Sequence, residues 1–102
     1  MTEMQDMQLL EEYVSRNSQE AFASLVRRHI NLVYTAALRH VNDPHKAQDV
    51  TQAVFIILAQ KAPRLRKETV LTGWLYQTAR FTSISHLRGE LAQADFDFKR
   101  LK

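Results

Sequence analysis

Apolar residues recur every three or four positions through most of this chain, the period of helices with one buried side. Leu9, Leu10, Tyr13 and Val14 predict a short helix over about Asp6–Ser15. The run Asn17-Ser18-Gln19-Glu20 then restarts the chain. Asn17 is expected to cap a second helix, with Glu20 three residues later reaching back to it. That helix should run to about His40, with Phe22, Leu25, Val26, His29, Leu32, Val33, Ala36 and Ala37 on its inner side. Asn42-Asp43-Pro44 is a break and a new start. Asp43 suits an N-cap, and Pro44 suits the first helical position, where its missing N–H costs nothing. A third helix follows to about Lys61, with Ala47, Val50, Val54, Ile57 and Leu58 facing inward. Residues 62–71 read as a loop, because Pro63 disfavours helix at Ala62. Thr72 is expected to cap a fourth helix, with Trp74, Leu75, Ala79, Ile84, Leu87 and Leu91 inside. Ala92–Lys102 is less periodic.

These elements predict an all-α fold, a compact bundle of about four helices in residues 1–91. Residues 92–102 read as a tail, a linker or the cut end of a larger protein. A length of 102 residues favours one domain. Two Gly and two Pro are few for a fold with many tight turns, and no Cys is present to form a disulfide or a thiolate site. No apolar run approaches the roughly 20 residues that span a bilayer. The polar, acidic start is unlike a secretory signal, so the expected location is the cytoplasm.

Charge changes the picture. Residues 1–60 hold five Lys/Arg against seven Asp/Glu, and residues 61–102 hold nine against four. The net charge of +3 therefore hides a basic second half. Arg64, Arg66, Lys67, Arg80 and Arg88 form a cluster suited to polyanions, although a solvated basic face reads the same way.

Two helices carry more than a core needs. On the third, Asp49, Gln52 and Ile56 share a face, flanked by Gln48. Uncharged polar residues beside an apolar one suit docking on a partner; an ordinary helix surface is the plainer alternative. On the fourth, Trp74, Tyr76 and Phe81 interleave with Gln77, Arg80, Ser85, His86 and Arg88. Exposed aromatics beside cations suit stacking on unpaired bases. The plainer expectations are that Trp74 is core and that Phe81 packs on a neighbouring helix. His29, on the inner stripe of the second helix, is expected to be a hydrogen-bonded core or edge histidine. The four histidines show no metal-ligand spacing, Asp49 has no carboxylate partner nearby in sequence, and no Gly-rich phosphate loop exists.

In order, Asp6-x-x-Leu9-Leu10, Ala21-Phe22, Asp43, Ala47-x-Asp49-Val50-Thr51-Gln52-x-Val54-Phe55, Trp74-Leu75-Tyr76-x-x-Ala79-Arg80 and Leu87-Arg88 resemble region two of the extracytoplasmic-function sigma factors. The resemblance covers about residues 6–90, and it implies that residues 92–102 could start the connection to a missing C-terminal DNA-binding domain. It implies a transcription initiation factor domain that needs no cofactor and catalyses no covalent chemistry. It implies RNA polymerase core as partner. The third helix would dock on the β′ clamp helices through Asp49 and Gln52, with Gln48 and Ile56 completing the contact. It implies a second partner, the single-stranded non-template strand of the minus-ten promoter element. Arg64, Arg66, Lys67, Trp74, Gln77, Arg80, Phe81, Ser85 and Arg88 would bind that strand, capture a flipped base and help to melt the duplex. An anti-sigma factor is a further candidate partner. The sequence departs from the family at Phe81, where Asn is frequent, and at Ser85, where Asp is frequent. The rival reading is a helical protein-interaction module, or a sigma-like regulator, without DNA binding.

Overall fold

A computed structural model describes residues 5–89. It comprises α1 (Asp6–Arg16), α2 (Gln19–Val41), α3 (Pro44–Lys61) and α4 (Leu71–Leu87), with a 3-10 turn at Ala62–Arg64. The described residues contain no strand, so the fold is the expected all-α bundle of four helices. The expectations for Leu91, for the domain boundary there and for the tail at 92–102 lie outside the described residues.

The long helix α2 organises the bundle. It packs against α1, α3 and α4, and α4 also packs along α3. Leu25, Val33 and Ala37 of α2 meet Leu10 of α1, Val50, Val54 and Leu58 of α3, and Leu75 and Ala79 of α4 in one buried cluster. Fully burying one Leu or Val contributes about 1.5–3 kcal/mol, so this cluster is the main favourable term. The α1–α2 seam has two further ties. The rings of Tyr13 and Phe22 lie 4.7 Å apart, centroid to centroid. Asp6 accepts from the Arg28 guanidinium at 2.9 Å through one oxygen and pairs with His29 Nε2 at 2.8 Å through the other. His29 is buried, so it is the hydrogen-bonded histidine its position suggested.

The helix starts follow local chemistry, with two corrections. Asp43 caps α3 as expected, accepting from the amides of His45 at 2.9 Å and Lys46 at 3.2 Å, with Pro44 first in the helix. Asn17, in contrast, ends α1 rather than starting α2. It adopts φ 53°, a left-handed conformation that Asn tolerates and that closes helices. The cap of α2 is Ser18, whose Oγ accepts from the Ala21 amide at 3.1 Å. The second correction is at α4. It begins at Leu71 after Val70, not at Thr72, and Val70 offers no side-chain cap. Starting earlier puts Leu71, only 2% exposed, one turn before Leu75 in the core. Burial of Leu71 outweighs the cap that Thr72 would supply. The expected loop is accordingly shorter, and its first three residues form the 3-10 turn.

Four expected inward residues face out. Val14, Leu32, Ile84 and Leu87 are exposed. At about 100° per residue, Ile84 lies opposite Leu75 on α4. The side of α4 that meets the core is completed instead by Thr82 and Ser83. Leu32 lies at the margin of the α2 stripe formed by Leu25, His29, Val33, Ala36 and Ala37, and stays exposed there.

Candidate protein and nucleic-acid interfaces

The buried stripe of α3 runs through Ala47, Val50, Thr51, Val54, Phe55, Ile57 and Leu58. The hydroxyl of buried Thr51 is satisfied by donating to the Ala47 carbonyl at 2.7 Å. Turning the helix half-way round brings Asp49, Gln52 and Ile56 to its outer face, all exposed, with exposed Gln48 at the edge. Ile56 is 47% exposed although Ile57 beside it is buried. Exposed His45 stands one turn before Asp49 on the same outer face. A lone histidine without metal-ligand spacing carries no signal in sequence, and helix geometry is what sets His45 beside Asp49.

The second surface starts where α3 ends. Arg64, Arg66 and Lys67 are all exposed between α3 and α4, as is Lys61. On α4, Gln77, Arg80, Phe81 and Arg88 are exposed, and Trp74 and Ser85 are half-buried. Trp74 packs against the core cluster, so it is an edge residue rather than a free ring. Helical geometry places Trp74, Gln77, Phe81, Ser85 and Arg88 along one strip, with Arg80 to one side of it. None of Arg64, Arg66, Lys67, Arg80 and Arg88 is held in a salt bridge with another described residue. Their charge remains available to a polyanion.

Phe81 corrects the plainer expectation. It does not pack on a neighbouring helix: it is 72% exposed. It borders an open hollow of about 500 Å³ with Gln77, Arg80 and Ile84 of α4 and Ile57 of α3. A smaller hollow of about 240 Å³ lies between α1 and the basic segment, with Leu10, Val14, Pro63 and Leu65 as walls and Lys67 at the edge. Val70, 71% exposed, stands between that segment and α4. It escaped the sequence reading because Val70 and Leu71 look alike until the start of α4 decides which is buried.

Comparison with known proteins matches residues 25–91 to the sigma-70 region 2 family. The chain belongs to that family. The match takes in both surfaces just described, the α3 face and the basic segment with α4. The chain is also similar to the RNA polymerase sigma-H factor of Pseudomonas aeruginosa, with 34% identity over 87 residues. That alignment covers 85% of this chain and 45% of the relative, so the chain spans about half the length of the curated protein it matches. No solved structure matches it. Within this region 2 fold, the bundle core supplies the platform, and the two surfaces lie on residues exposed around it or, like Trp74, at its edge.

Proposed function

We propose that this chain is the part of a sigma factor, of the extracytoplasmic-function type, that joins RNA polymerase to the minus-ten promoter element in the cytoplasm. The observation that carries the reading is the separation of two surfaces on one bundle. The outer face of α3 offers Gln48, Asp49, Gln52 and Ile56 to a protein, here the β′ clamp helices. The segment with Arg64, Arg66 and Lys67, together with α4, offers cations and an exposed ring to DNA. Melting needs no bond to be made or broken. It needs a surface that prefers the separated strand, because only differential affinity shifts an equilibrium. Cations hold phosphates on either form of DNA; a ring that stacks on a base favours the unpaired form, since paired bases hide their faces.

The test uses two ligands. Asp49→Ala with Gln52→Ala should abolish pull-down by a β′ clamp-helix fragment; full retention would reject the assigned docking face. Binding to a labelled single-stranded oligonucleotide should weaken as salt rises, and should weaken further with Arg66→Ala and Lys67→Ala. Docking without any salt-dependent oligonucleotide binding would favour the interaction module instead.

A further inference from the structure

Phe81 is the most exposed large apolar side chain among the described residues, and its helix also exposes Arg80 and Arg88. A ring left this open gains nothing for the fold. On its strip, Gln77 lies one turn before it and Arg88 two turns after. The hollow at its side is walled by Ile57 and Ile84 and edged by Gln77 and Arg80. Thr78 and Thr82 complete the lining. Apolar side chains beside a cation suit a flat ligand bearing an anionic group.

We infer that Phe81 is a stacking platform for one unpaired nucleobase, and that it accepts that base without regard to its identity. This deepens the proposed function and rests on it. A phenyl ring has neither donor nor acceptor, and every base has a π-face to lay on it. Discrimination between bases comes from hydrogen bonds to their edges. The nearest side-chain amide, that of Gln77, presents both a donor and an acceptor and can turn over, so it can meet either kind of edge. Arg80 then holds the phosphate beside the stacked base. The occupant is a single strand rather than a second protein, because the one charged side chain lining the hollow, Arg80, is a cation, and exposed Arg88 stands two turns on along the Phe81 strip. The consequence for promoter choice is a position where a base must be present but any base will serve.

The experiment is an abasic walk. A labelled single-stranded oligonucleotide of about a dozen nucleotides is titrated with the 102-residue chain, and each position in turn is made abasic. One position should weaken binding about five- to one-hundred-fold when its base is removed, the range expected for one stacked base. Exchanging the four bases there should change affinity less than about threefold. Phe81→Ala should erase the abasic penalty at that position and leave the salt dependence in place; Phe81→Trp should keep the penalty. An abasic penalty untouched by Phe81→Ala, or a base preference above about tenfold at that position, would overturn the inference while leaving the proposed function standing. Absence of salt-dependent binding by the unaltered chain would overturn both.

Discussion

At the residue scale, Asp43 shows how one side chain sets a boundary and a pH response together. Its carboxylate receives the amides that open α3. The Lys46 amide is the main influence holding its pKa below the usual value. A slight burial opposes it, and the His45 amide and the charges of Lys46 and His45 add to the lowering. A depressed carboxyl pKa stabilises the fold above the unfolded value of about 3.9, and that contribution is lost as pH falls through the folded value. Urea unfolding of the chain should therefore show a stability decline on acidification below about pH 4, part of which is missing in Asp43→Asn. An identical acid decline in that variant would remove Asp43 from the account. Asn17 and Ser18 make a related point. Both were legible as turn residues, but the cap expected for α2 was Asn17, and the structure gives that place to Ser18 and ends α1 at Asn17. The left-handed backbone at Asn17 decides it.

At the scale of elements, the division of each helix into a buried and an exposed side is what frees residues for function. Ile56 and Leu58 of α3 are close in sequence and similar in size, yet one is 47% exposed and the other fully buried. Leu58→Ala should cost about 2–5 kcal/mol, read as a lower urea midpoint, because it leaves a cavity in the cluster. Ile56→Ala should change stability by less than about 0.5 kcal/mol, as surface changes usually do, while weakening β′ docking. Equal destabilisation by both would show that α3 is rotated from the arrangement described. The four helices and most of their inner stripes were readable because a 3.6-residue period is a property of local sequence. The start of α4 was not readable. A favourable Thr cap and a favourable buried Leu competed for it, and only the packing of Leu71 beneath the bundle settles the outcome.

At the scale of the whole molecule, the core separates two surfaces that need not sense each other. The α3 face and the basic surface share the same buried cluster but no named side chain. Effects at distant sites without shared partners usually add. A variant combining Asp49→Ala and Gln52→Ala with Arg66→Ala and Lys67→Ala should lose both affinities by the amounts the separate pairs lose them, and should unfold at the urea midpoint of the unaltered chain. A loss of oligonucleotide binding from the α3 pair alone, measured by titration, would mean that the two faces are coupled through the bundle.

The local pattern by itself determined the helices, the family and the segregation of cations after Gln60, since each is written in neighbouring residues or in their order. Tertiary packing decided where α4 starts, that Ile84 and Leu87 stay outside while Thr82 and Ser83 go in, and that Phe81 stands open to solvent. The physical reason is that a helix can bury only the arc its neighbours reach. How wide that arc is, and where it points, depends on α2 and α3 meeting α4 across the core, which no window of sequence contains.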